Sequence, residues 1–309
     1  MNVLLLFVLI NCLILLSINA RSKIKEEQEQ RDLDDDLRTA CYIHDVNSVR
    51  NLLSLDNNIV ISGKVPILVD RTDVNGRTQL MNCGLDPQTN DIKKLDYDCY
   101  DIAILLTKAG ANLLHVDNMK WDILSMAVTK GLIKFSKYLI ENNVPVNHKD
   151  NNGRTSLMKA GGLGYESIYF MLLSKGANIL AKDEKGQSAI HFITQLVISN
   201  NSYIPFLERA VASIVNEKEY SKQINIDSIV DNDGRNPLMY AAIAGDMETI
   251  KVLIETGKCD PRYVKDNYGI RATSMSNKPE IREYLSQIVV KFVEKDHRNW
   301  IRKTSKDEM

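Results

Sequence analysis

Two short apolar runs, separated by a glycine and closed by a polar turn, recur along the middle of the chain. The clearest example is 150–182. Asp150-Asn151-Asn152-Gly153 reads as a turn, and a helical run begins at Thr155-Ser156-Leu157. Gly164 interrupts it. A second helical run carries Ile168, Phe170, Met171, Leu172 and Leu173 and stops at Lys175-Gly176. Glycine there supplies the positive φ of a helix C-terminus. Asn178 and Ile179 lead to Asp183, where the pattern restarts. Asp117, Asp150 and Asp183 stand 33 residues apart. Leu124, Leu157, Ile190 and Leu238 recur at one position and are predicted core. Ala127, Ala160, Ala241 and Ala242 are small enough to let paired helices approach closely.

A turn-helix-helix unit of this length cannot bury its own apolar face, so neighbouring units must stack into one core. The motif resembles the ankyrin repeat, D-x-x-G-x-T-P-L-H-x-A-A-x-x-G followed by an apolar helix and L-L-x-x-G-A-D/N. Asp231-Asn232-Asp233-Gly234-Arg235-Asn236-Pro237-Leu238 keeps the Pro-Leu of that pattern, and Ala241-Ala242 its double alanine. Asp183 to His191 places Ile190-His191 at Leu-His, and Asp73-Val74-Asn75-Gly76 opens an earlier unit. Lys120 and Asp122 replace the family's Gly and Thr. The resemblance implies an all-α ankyrin-repeat α-solenoid of about five to seven helix-turn-helix units over 37–285. The clearest are 73–116, 117–149, 150–182, 183–230 and 231–265. Two carry extra residues, around Leu85 to Asp98 and around Ser199 to Ile224. Residues 37–55 read as a degenerate first repeat. A helix over 279–303, with Ile281, Tyr284, Leu285, Ile288, Val289, Phe292 and Val293 on one stripe, reads as a C-terminal cap.

The two ends carry a different message. Residues 3–18 are an apolar run, shorter than the roughly 20 residues of a membrane span, and Asn19-Ala20 offers a cleavage point. This reads as a signal peptide over 1–20, followed by a charged linker over 21–36. No Lys or Arg precedes the run, whereas Arg21, Lys23 and Lys25 follow it. An uncleaved anchor with cytosolic repeats therefore stays open as the alternative. The last residues, Lys306-Asp307-Glu308-Met309, are similar to an ER-retrieval tail, with Met in place of Leu. Together the ends point to the secretory pathway, with the ER lumen or secretion as destination. Asn200-Asn201-Ser202 is a glycosylation sequon there.

Composition adds exclusions. A net charge of −1 over 309 residues gives no broad attraction to nucleic acid. The membrane enters only through an uncleaved N-terminus. No Cys-x-x-Cys, phosphate loop, nucleophile elbow or zinc-protease motif is present, so no catalytic residue, cofactor or metal is expected. Cys83 and Cys99 flank the first insertion and are able to pair if that loop closes in an oxidising compartment; the favoured reading is buried unpaired thiols, because Cys83 occupies the small-residue position of the repeat. His191 occupies the position of the family's histidine, which bonds the neighbouring loop. The resemblance implies a non-enzymatic scaffold that binds protein partners. An accessory subunit of an enzyme is the reading from another class.

The binding face follows from motif register. The variable position after Leu-His falls at Asn82, Met126, Lys159, Phe192 and Tyr240. The motif register points these outward, and Met126, Phe192 and Tyr240 are expected to anchor a partner. Asn151, Asn152, Glu184 and Lys185 at the turn tips form the expected polar rim, continued by Asn232 and Asp233.

Overall fold

A computed structural model describes the backbone of residues 3–53, 69–83, 91–216 and 225–307, and the side chains among these from 22 to 298 except 26. Among the described residues there is no strand; a single bridge joins Val116 and Asp122. The chain divides into two compact units, 1–144 and 145–309.

The N-terminal unit begins with α1 (Val3–Tyr42), followed by α2 (46–53). The charged segment 21–36 is helical throughout, as part of α1. Its later part is anchored: Asp34 is buried and accepts from Arg71 at 3.2 Å. Leu37, Ala40 and Cys41 enter the core. The first clear repeat follows as α3 (Gln79–Asn82) and α4 (Ile92–Lys108), the next as α5 (Ile123–Thr129) and α6 (Ile133–Glu141). At 17 residues, α4 is nearly twice the length of α6, so much of the first insertion is an N-terminal helical extension. Its remainder, 84–90, lies outside the described residues. Asp96 on this extension accepts the amides of Lys134 and Phe135, both at 2.8 Å, and so caps α6.

The C-terminal unit contains three helix pairs and a cap. The pairs are α7 (Ser156–Leu163) with α8 (Glu166–Ser174), α9 (Ala189–Ser199) with α10 (Ile204–Asn216), and α11 (Pro237–Ala244) with α12 (Met247–Glu255). The first helices form one row, α7 on α9 on α11 on α13 (Ala272–Met275), while α10 packs on α12. Leu157, Ile190 and Leu238, from the recurrent core position, are at most 1% exposed. Thr155 and Asn236 cap their helices by accepting the amides of Met158 and Met239. Gly164 and Gly245 close α7 and α11 in the left-handed region. The second insertion lengthens both helices of its repeat, to 11 residues in α9 and 13 in α10. Residues 217–224 lie outside the description.

α14 (Pro279–Asp307) covers the last repeat with Ile281, Leu285 and Ile288, which are buried. Val293, expected on the same stripe, is exposed. Arg262 fastens the helix further along. Its guanidinium donates two ways to Asp260, at 2.9 and 2.6 Å, and lies 2.8 Å from Asp296 of α14. Among the described residues no helix is long and apolar enough to cross a membrane. The apolar run 3–18 lies in the backbone of α1, but its side chains are outside the described residues, as are those of Lys306, Asp307, Glu308 and Met309.

Candidate functional site: the row of turns

Each repeat opens on an aspartate with a fixed task. One carboxylate oxygen of Asp150 accepts the amides of Asn152 at 3.0 Å and Arg154 at 2.9 Å. Asp73, Asp117, Asp183, Asp231 and Asp266 accept amides two and four residues on in the same way. The turn is thereby held by a side chain rather than by its own backbone alone. Glycine in the left-handed region completes it, as at Gly153 (φ 73°) and Gly186 (φ 75°); Lys120 takes the same conformation (φ 56°) where the glycine is missing.

Five of these carboxylates are nearly buried: Asp117, Asp150, Asp183, Asp231 and Asp266. A buried carboxylate needs partners for both oxygens. At Asp73, Asp117, Asp150, Asp183 and Asp231 the second oxygen is served by one of two sources. In three repeats it is the residue nine positions on. Asn82 donates to Asp73 at 3.3 Å, Lys159 lies 3.0 Å from Asp150, and the Tyr240 hydroxyl donates to Asp231 at 2.7 Å. In the other two that residue is apolar, Met126 or Phe192. There an arginine from the preceding turn reaches across: Arg77 to Asp117 at 3.3 Å, and Arg154 to Asp183 at 3.8 Å. At Asp231 the preceding turn contributes indirectly, since Gln187 donates to the Tyr240 hydroxyl at 2.8 Å.

This geometry corrects the expected anchors. Met126 is 4% exposed and belongs to the core of α5. Asn82 is buried, and the Lys159 side chain is 8% exposed. Phe192 is half-buried, with the Arg154 guanidinium 5.1 Å from its ring centre. Tyr240 is half-buried and packs edge-on against His191. Burial and its bond to Asp231 push the Tyr240 phenol up to about 12. At Asn82, Lys159 and Tyr240 the position after Leu-His therefore completes the turn of its own repeat. His191 is structural as the resemblance implied. Its Nδ1 accepts from the Ser188 amide at 3.2 Å, which leaves Nε2 to donate to the Arg235 carbonyl at 3.1 Å.

The turn tips are exposed, as expected for Asn151, Asn152, Glu184 and Lys185. Backbone hydrogen bonds join successive tips within the C-terminal unit. The Glu184 amide donates to the Asn152 carbonyl at 2.9 Å, Asn232 to Lys185 at 3.0 Å, and Asn267 to Asp233 at 2.8 Å. In the N-terminal unit Asn118 donates to Asn75 at 3.0 Å. Asparagine side chains add to these links: Asn232 donates to the Glu184 carbonyl and Asn267 to the Asn232 carbonyl, both at 2.8 Å, and Asn118 to the Val74 carbonyl at 3.2 Å. The register missed three exposed apolar tips, Val74, Met119 and Tyr268, the first 94% and the last 75% exposed. Their signal in the sequence was an apolar residue inside D-x-x-G, where the motif elsewhere carries polar ones. Asn200, the sequon residue, is exposed at the end of α9 and accepts the Ser202 amide at 3.0 Å.

Paired helices on carboxylate-held turns, joined tip to tip, form a helical repeat stack. The comparisons agree. The family model for ankyrin repeats in three copies matches residues 92–183, and the ankyrin-repeat model matches 233–267. Residues 92–183 and 233–267 thus carry ankyrin repeats. Among curated proteins, inversin of Canis lupus familiaris is 26% identical over 219 residues, covering 62% of this chain and 19% of that protein. Diacylglycerol kinase zeta of Rattus norvegicus is 29% identical over 85 residues, 27% of this chain and 9% of the kinase. The human transient receptor potential cation channel subfamily A member 1 is 28% identical over 121 residues, 39% of this chain and 10% of the channel. The chain therefore spans less than a fifth of the length of each of these relatives.

Proposed function

We propose that this chain is a non-enzymatic scaffold that binds protein partners through the row of turn tips, and that it works in the secretory pathway. Ankyrin repeats suggest protein binding, and the observation that carries the choice of face is the tip-to-tip backbone ladder. It presents Asn151, Asn152, Glu184, Lys185, Asn232 and Asp233 on a fixed main chain, with Tyr268 at its C-terminal end as an exposed aromatic anchor. Aromatic residues are enriched in the cores of interfaces and are common hot spots. Five of the turn aspartates are buried and committed to backbone amides, which leaves them unsuited to proton transfer.

A photo-crosslinking residue placed at 152, 185 or 268 tests the face, with 251 on α12 as the outer-surface control. The three tip positions are expected to give one common protein adduct that position 251 does not give. An adduct from 251 alone moves the site off the turns. The compartment rests on the apolar run 3–18 and the 306–309 tail. A mature N-terminus near Arg21, and release from the ER on deleting the last four residues, support it. An intact N-terminus with cytosolic repeats favours the membrane-anchored adaptor.

A further inference from the structure

Away from the turns, the N-terminal unit gathers three of its thiols near one imidazole. Cys41, at the end of α1, is fully buried, and His44 follows in the left-handed region (φ 59°), 8% exposed. Cys83 closes α3 and Cys99 lies inside α4; they are 3% and 0% exposed. The sulfurs of Cys83 and Cys99 are 2.9 Å apart, and with a His44 nitrogen they form a group whose ligand atoms all lie within 4.8 Å of one another.

Two chemistries can use such a group. A structural zinc site needs four donors at about 2.0–2.3 Å, in a closed tetrahedron. Here three donors converge, and Cys41 does not complete the group. A three-donor site of the open kind keeps a position for water, but these donors are buried. Zinc would also require thiolates, and burial pushes the Cys83 thiol well up and the Cys41 thiol up to about 12. A disulfide needs only two sulfurs, about 2.05 Å apart, and leaves a neutral, apolar link in an apolar core.

We propose that Cys83 and Cys99 are a disulfide site that closes covalently across the two helices of the first clear repeat. The oxidant is a small or protein disulfide, with oxidised glutathione as the simplest example. One cysteine, as thiolate, attacks the oxidant's disulfide, forms a mixed disulfide and expels one thiolate. The other cysteine then loses its proton and attacks its partner's sulfur, expelling the second. The chain loses two protons and two electrons, and the oxidant's disulfide leaves as two thiols. With both sulfurs buried, the oxidant reaches them while the repeat is open, so closure accompanies folding. The site stands apart from the secretory reading, because it needs only the oxidant and not a particular compartment.

The test uses the full chain, reduced and unfolded, then refolded in a buffer of oxidised and reduced glutathione. Free thiols are alkylated before digestion and mass spectrometry. The expected product in most chains is a peptide pair linked through Cys83 and Cys99, about 2 Da lighter than the two free peptides, with Cys12, Cys41 and Cys259 alkylated. Cys41→Ser is expected to leave that link in place. Three results overturn the proposal: all five thiols alkylated or capped by glutathione, a link through Cys41, or a chain purified without chelator that holds about one zinc per molecule and resists alkylation until the metal is removed.

Discussion

Replacing Lys159 by methionine separates a completed turn from a binding face. The side chain keeps its length and loses its charge. In the native chain Lys159 Nζ stands 3.0 Å from Asp150, and the two side chains are 8% and 2% exposed. Removing one partner of a fully buried pair costs about 3–5 kcal/mol, most of it the penalty for the charge left behind. Asp150 retains two amide donors on its other oxygen, which lowers the expected cost to about 2–3 kcal/mol. With a urea m-value of about 2 kcal/mol/M, the midpoint falls by roughly 1–1.5 M. The assay is equilibrium urea unfolding followed by far-ultraviolet circular dichroism. Lys159→Arg, which keeps the charge, is the control and should recover most of the loss. A folded Lys159→Met chain whose midpoint matches the native one would refute the reasoning. The position would then be free to serve as a surface contact, as its register first implied.

Three further outcomes follow from the same turns. Tyr240→Phe removes a 2.7 Å bond to a buried carboxylate and should cost about 1.5–3 kcal/mol, read as a lower urea midpoint; an unchanged midpoint would mean that Asp231 finds another donor. Gly186→Ala places a Cβ 2.6 Å from the Asn232 amide nitrogen at φ 75°, whereas at Gly176 (φ 81°) nothing lies within 4 Å. Gly176→Ala should therefore cost only the left-handed strain of about 1–2 kcal/mol, and Gly186→Ala clearly more, as compared by thermal melts. Burial lowers the His191 pKa below 6.5 in the folded chain, so the unfolded chain takes up the proton first. Its contribution is complete above pH 6.5 and is lost as pH falls through the folded value, so His191→Gln should flatten the decline in stability below pH 6.5.

The repeat architecture was readable because the 33-residue period, the leucine register and the glycine stops all report local geometry. Leu157, Ile190 and Leu238 are buried where the period put them. The outward position was misread for an equally physical reason. The motif shows that a residue varies, and variation resembles a solvated site. What constrains it is a carboxylate nine residues earlier, and the constraint can be met by that residue or by an arginine one turn back. Met126 and Phe192 look like free choices only until Arg77 and Arg154 are seen at their aspartates. The thiol cluster was hidden differently. Cys41, His44, Cys83 and Cys99 come from three helical segments with no spacing in common, and the pairing of Cys83 with Cys99 was visible only as loop closure. The pattern leaves open whether the extra length around 85–98 and 199–224 forms loop or helix, and α4, α9 and α10 absorb much of it as added helical turns.

The amides of Glu184, Asn232 and Asn267 sit on exposed loop tips, where a main-chain proton would ordinarily be exchanged with solvent quickly. Each is instead held by the carbonyl of the repeat before it. Those three protons are reporters of junctions rather than of residues. Each is released when its own repeat swings away from the preceding one, even with both helix pairs intact. Hydrogen exchange at three positions would thus rank the junctions of the C-terminal unit by their tendency to part, and show where the stack yields first when a partner bends it.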